Sequence, residues 1–252
     1  MPNPSLPLYY DSLAPFREWF GGGVPILMYH KLGPRPRGVR LKGLYLDSRL
    51  FDRQLAELRA AGYSGLDLER LGGPEHPALP RQIGISFDDG YVNVLEHGLR
   101  PLAEHGFRAI QYIVAGAIGG GNDWDAALGE APERLMDRAQ LRAWLNAGHW
   151  IGSHTLSHAR LTRLTPAAAR EEIGASRKKL EDLFGIPVHH FCYPYGDWNA
   201  RVRDLVAEAG YRTACTTDFG LNTAQTPPLE LRRIQARYRS RSLKSLLRRL
   251  LG

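Results

Sequence analysis

Residues 82–90, QIGISFDDG, decide how the rest of the chain is read. An apolar run ends abruptly in two adjacent carboxylates, Asp88 and Asp89, followed by Gly90. Such a run reads as a buried strand. Two negative charges at its end are costly, because they repel each other and burial strips water from both. A compensating cation is therefore expected near the end of this strand.

Outward from this stretch, short apolar runs alternate with amphipathic helical stretches, the pattern of β/α units. The expected strands are 24–30, 82–87, 109–114, 149–153, 188–194, 211–217 and 231–235. Between them, 47–63 presents Phe51, Leu55 and Leu58 on one helical face and stops at Gly62. Further helices are expected at 97–106, ahead of Gly148, from the Thr165 N-cap with Pro166 to Gly185, and from an Asp197 cap to Gly210. No break in composition divides the chain, so one domain over 24–236 follows, either a barrel or an open doubly wound sheet. No G-x-G-x-x-G or G-x-x-x-x-G-K-[ST] loop opens a helix after a strand, and no G-x-S-x-G elbow occurs. Nucleotide-fold and serine-hydrolase chemistry lose their usual signs.

The bulk properties agree with one globular domain. The chain has 252 residues, 43% of them hydrophobic, enough for a sizeable core. No run approaches the roughly 20 apolar residues of a membrane span, and the N-terminal extension, 1–23, lacks the character of a secretory leader, so a cytoplasmic location is expected. Only Cys192 and Cys215 are present, which argues against a disulfide framework or a thiolate zinc site. The net charge of +7 owes much to 237–252, RYRSRSLKSLLRRLLG, with six basic residues and a leucine stripe. The simpler reading is a final helix packed on the body; the other is peripheral contact with a membrane surface. No nucleic-acid-binding signature accompanies the charge, so no nucleic-acid partner is expected.

His154 and His158 lie four residues apart after the strand at 149–153, the spacing that brings two imidazoles to one side of a helical turn or tight loop. If the two strands are parallel neighbours, these histidines and one of the two aspartates converge at the C-terminal edge of the sheet. Two imidazoles and one carboxylate leave positions open on a divalent ion, which suits a catalytic site. The other aspartate is then free to act as a base.

Together, SFDDG (86–90), SHTLSH (153–158) and FCYPYGDWN (191–199) resemble the motifs of the polysaccharide deacetylases, carbohydrate esterase family 4, with the NodB-homology fold. The resemblance spans about Val24 to Gln235 and implies a distorted seven-stranded (β/α) barrel. It also implies that Asp88 is the catalytic base, that Asp89, His154 and His158 hold the metal, and that the backbone N–H of Tyr195 helps bind the oxyanion. Two departures stand out: Cys192 occupies the place where the family often has an arginine touching the base, and no Leu-x-His motif ends the chain. In the subgroup resembling the poly-N-acetylglucosamine deacetylases the acid histidine precedes the aspartate motif. That comparison puts His30 forward as the acid; Arg233 is a separate candidate for the arginine beside the base. The activity implied is removal of N-acetyl groups from a polysaccharide or lipid-linked glycan, as in exopolysaccharide biosynthesis, with Zn2+, or else Co2+, Ni2+ or Fe2+. The rival readings are an amidase of the same fold acting on a small non-sugar amide, and a carbohydrate-binding module that has lost catalysis.

Overall fold

The computed structural model describes residues 20–66 and 81–236; residues 1–19 of the N-terminal extension and the basic segment 237–252 lie outside the described residues. In chain order the elements are β1 (Ile26–Tyr29), β2 (Lys31–Leu32), β3 (Tyr45–Leu46), α1 (Ser48–Ala60), β4 (Ser64–Gly65), β5 (Gln82–Phe87), α2 (Val92–His105), β6 (Ile110–Ile113), α3 (Arg138–Asn146), β7 (Trp150–Ser153), α4 (Pro166–Phe184), β8 (His190–Cys192), α5 (Ala200–Glu208), β9 (Thr213–Phe219) and β10 (Leu231–Gln235). The main strands pair in parallel in the order β1-β10-β9-β8-β7-β6-β5, and β1 also pairs with β5, so the seven-stranded sheet closes on itself. The open doubly wound alternative is thereby excluded. β4 pairs in parallel with the first two residues of β5, Gln82 and Ile83, and β2 and β3 form a separate parallel pair.

Every residue of β1 and β5 is buried, as expected of strands covered on both faces. Ile26, Ile110, Tyr112, Cys192, Cys215 and Leu231 form one small apolar cluster. They come from five different strands, and only the barrel interior brings those strands to a common point. The larger core lies between strands and helices, where Tyr29, Phe51, Phe87 and Trp144 pack ring against ring.

The helices follow local capping chemistry. Asp47 caps α1, Asp137 and Gln140 form a reciprocal capping box on α3, and Thr165 with Pro166 opens α4. Two expectations need correction. Helix α2 begins at Val92, five residues earlier than the sequence pattern indicated, and accommodates Pro101 within it. Helix α5 is capped by Asn199, whose side chain accepts from the N–H of Val202 at 3.0 Å. Asp197 instead accepts from the N–H and hydroxyl of Thr162, so its carboxylate ties two loops together.

Gly152 of β7 faces Tyr112, its register partner on β6. A Cβ there would stand 2.6 Å from the Tyr112 ring and 2.9 Å from the carbonyl oxygen of His190. Gly152→Ala is expected to destabilise the protein by about 1–3 kcal/mol through overpacking. Urea unfolding of the purified variant measures the change.

Candidate active site

The C-terminal ends of the barrel strands open into a cavity of about 660 Å³, and His30, Asp88, Asp89, His154, His158, Tyr195 and Arg233 all line it. Asp88 and Asp89 directly follow β5. The N–H of Asp88 donates to the carbonyl of Tyr29 at 3.0 Å, which prolongs the β1–β5 ladder. The chain then turns sharply, with Asp89 at φ 75° and Gly90 at φ 90°. Asp tolerates this left-handed region and Gly occupies it at no steric cost. The turn sends two neighbouring carboxylates in different directions.

Asp88 meets Arg233. The guanidinium is 1% exposed and grips the carboxylate with two bonds, Nη1 to Oδ1 at 2.7 Å and Nη2 to Oδ2 at 2.9 Å. Its other donors reach the Thr216 carbonyl at 2.7 Å, Ser86 Oγ at 3.2 Å and Cys192 Sγ at 3.0 Å, so all five N–H groups have partners. β8 supplies a thiol at this point, and the arginine arrives from β10 on the far side of β9. Burial pushes the Asp88 carboxyl up, but Arg233 and His30 together pull it the other way and the carboxyl ends below its ordinary value. His30 Nε2 stands 3.7 Å from Asp88 Oδ2, just beyond the end of β1. Burial lowers its pKa against the opposing pull of Asp88 and Asp89.

Asp89 meets the two histidines. His154 Nε2 lies 3.4 Å and His158 Nε2 3.3 Å from Asp89 Oδ1. His154 follows β7 and its Nδ1 bonds the carbonyl of Cys192 at 2.8 Å, so Nδ1 carries the proton and Nε2 presents a lone pair. His158 is held by packing: Trp124 stacks on its ring at 4.6 Å and Tyr195 meets it edge-on at 4.5 Å. The pair sits in a tight loop rather than a helical turn. Thr155 and His158 both have positive φ, Thr155 Oγ1 accepts from the N–H of His158, and Glu172 of α4 accepts from the N–H groups of Leu156 and Ser157. Such strain persists only where the surroundings over-determine it.

Asp89 Oδ1 is buried and no hydrogen bond reaches it. An anionic oxygen facing two imidazole nitrogens, with no donor between them, is the arrangement a divalent cation would satisfy. Asp89, His154 and His158 therefore fit a metal ion. A second set, Asp88, His154 and Cys192, lies equally close, but Arg233 already occupies the Asp88 carboxylate.

Sequence reasoning missed Trp124 and Asp125, which line the cavity from a short 3-10 turn after the glycine-rich loop at 119–121. Burial raises the Asp125 pKa, and Asp89 adds to the effect. It also missed the buried Lys31, 3.9 Å from Glu130 and over the ring of Tyr91. A tryptophan flanked by aspartates was the only local signal for this wall. His189 and His190 lie away from the cavity lining, and His190 Nδ1 bonds Thr213 Oγ1 at 2.8 Å.

The profile of the family described as polysaccharide deacetylase matches residues 76–214, more than half of the chain. The chain belongs to the polysaccharide deacetylase family. A putative polysaccharide deacetylase of Bacillus subtilis, YxkH, is 24% identical over 216 residues, covering 84% of this chain and 71% of its own length. Chitin deacetylase 1 of Cryptococcus neoformans is 34% identical over 137 residues, which is 54% of this chain and 26% of the fungal protein. Among solved structures, a polysaccharide deacetylase from Bacillus cereus superposes with a TM-score of 0.73 at 25% identity, covering 90% of this chain and 68% of its own. IcaB from Ammonifex degensii superposes at 0.72 and 20% identity, covering 85% and 91%, a likeness of fold. Membership in this family supports a hydrolytic deacetylase activity in general terms.

The Asp88–Arg233 pair generates a prediction about stability. Because the folded-state pKa of Asp88 is depressed, the pair contributes stability above the unfolded carboxyl value near 3.8 and loses it as pH falls toward the folded value. Arg233→Gln leaves a buried carboxylate uncompensated and is expected to cost about 3–5 kcal/mol at neutral pH. The loss should shrink as pH falls through the carboxyl range. Urea unfolding at a series of pH values from neutral to acid reads both effects.

Proposed function

We propose that this protein is a metal-dependent N-deacetylase that removes acetyl groups from the N-acetylated sugars of a polysaccharide or lipid-linked glycan, releasing acetate and a free amine. The observation that carries the reading is one cavity in which an ionised, arginine-held carboxylate stands beside an Asp-His-His set with an orphaned buried oxygen. Asp89, His154 and His158 would hold the ion, most simply Zn2+ and otherwise Co2+, Ni2+ or Fe2+. When bound, the ion supplies Lewis-acid chemistry at the acetyl carbonyl and lowers the pKa of water.

The chain's own groups do the rest. Asp88, kept ionised by Arg233, takes a proton from the attacking water. Tyr195, at φ 60° in the turn after β8, offers its backbone N–H to the oxyanion, a donor worth about 3 kcal/mol in comparable sites. His30 delivers a proton to the departing sugar amine, otherwise a very poor leaving group. Its position before the aspartate motif and beside Asp88 supports the subgroup resembling the poly-N-acetylglucosamine deacetylases. Arg233 acts through Asp88 as a positioning residue. None of the described helices is long and apolar enough to cross a membrane. A cytoplasmic enzyme whose basic tail touches a membrane surface is compatible with that and forms part of this proposal.

The test is acetate release from N-acetylated glycans by apo-protein reconstituted with each divalent ion. Turnover is expected only with metal, and Asp88→Asn and His30→Ala are each expected to lower kcat/KM by about 10²–10⁴-fold. Full activity in Asp88→Asn would remove the base from the scheme, and turnover of small amides with none on glycans would favour the amidase reading. Independently of turnover, saturating metal at about 100 times its Kd should stabilise the wild type by about 2.7 kcal/mol, an increment that His158→Ala loses. Thermal unfolding with and without ion reads that difference.

A further inference from the structure

The geometry points to an anion-binding subsite built on Arg160, at the edge of the same cavity, for a phosphate or carboxylate group carried close to the N-acetyl sugar. Its place beside a sugar rests on the deacetylase reading above; its chemistry does not. Arg160 lies two residues beyond His158, is exposed, and lines the cavity. Its guanidinium carbon stands 3.8 Å from the centre of the Tyr195 ring, and that ring meets His158 at 4.5 Å. An anion held there would therefore sit about one aromatic ring away from the candidate metal ligand.

Stacking fixes the plane of a guanidinium without consuming its N–H groups. Among the described residues no carboxylate lies within ion-pair distance of Arg160, and its side chain donates no hydrogen bond. Other exposed arginines of this protein do find acids: Arg100 pairs with Glu104 and Arg170 with Glu208. The surroundings of Arg160 are basic. Arg163 is exposed three residues later, and Arg201 leans on the same loop, donating to the carbonyls of Thr162 and Leu164. Asp197, which reaches this loop from the turn after β8, is engaged by Thr162, and Asp125, the third carboxyl of the cavity wall, is buried. A neutral polymer would leave this oriented fork in water, whereas an anionic substituent would receive a bidentate, charge-assisted pair of bonds.

The test compares three ligands on the metal-reconstituted full chain: the methyl glycoside of N-acetylglucosamine, its 1-(methyl phosphate), and a methyl glycoside of N-acetylglucosamine joined to glucuronic acid. Calorimetry gives affinity and acetate release gives kcat/KM for each. At least one anionic ligand is expected to bind about tenfold or more tightly than the neutral one. That preference should fall in about 0.5 M salt, vanish in Arg160→Gln and persist in part in Arg160→Lys. Preference for the phosphate alone supports a phosphate-linked glycan, and preference for the uronate supports an acidic polymer. Equal binding of all three by the wild type, or a preference that survives Arg160→Gln, overturns the subsite. Arg160-dependent binding without any acetate release upholds the subsite and overturns the catalytic reading; acetate release with no such dependence does the reverse.

Discussion

Two adjacent carboxylates at the end of a buried strand are the constraint around which the site is organised. Asp88 and Asp89 are 2% and 4% exposed, so neither can rely on water to carry its charge. The protein separates the two problems by a left-handed backbone at Asp89, which turns one carboxylate to a guanidinium and the other to two imidazoles. Arg233 solves the first completely, with every donor engaged. The second is solved only in part by the polypeptide, because Asp89 Oδ1 receives no hydrogen bond. That asymmetry separates a finished electrostatic pair from a set of ligand atoms whose chemistry fits a cation.

Barrel closure makes this division workable. Arg233 lies in the last strand and Asp88 after a middle one, 145 residues apart in sequence, yet β1 lies between β10 and β5 and brings both to one rim. His30 ends β1 and so falls next to Asp88. The thiol of Cys192 fits the same space because the guanidinium arrives from β10, and β8 needs only a small group that can accept its remaining N–H. Burial pushes the Cys192 thiol well above its ordinary pKa, so it remains neutral beside the pair.

The loops around the rim are held with equal care. Glu172 reaches up from α4 to fix the loop that carries His158, and Asp197 pins the turn after β8 to Thr162 in the same loop. Trp124 closes the wall over His158. The result is a well-braced edge carrying Asp89, His154 and His158, facing a more open margin where Arg160 stacks on Tyr195.

Much of this was legible in the sequence, for physical reasons that differ by residue. Strand and helix periodicity, the cap at Thr165, and the paired aspartates and histidines each depend on a few neighbouring residues, so a linear reading captures them. The seven parallel strands follow from the same periodicity. The choice between barrel and open sheet does not, because closure depends on whether β1 finds β10 and β5 together. The cap of α5 was misread because Asp197 and Asn199 are both good caps, and a contact with Thr162, 35 residues away, drew Asp197 off. Trp124 and Asp125 gave no periodic signal, since loop residues acquire their roles only from what folds against them, and the periodicity of α4 does not mark Glu172 as the partner of the loop that carries His158. The sequence alone determined which chemical groups stand at the ends of the strands. Only the tertiary structure decided which of them share a charge, because such pairing depends on distances that chain order does not encode.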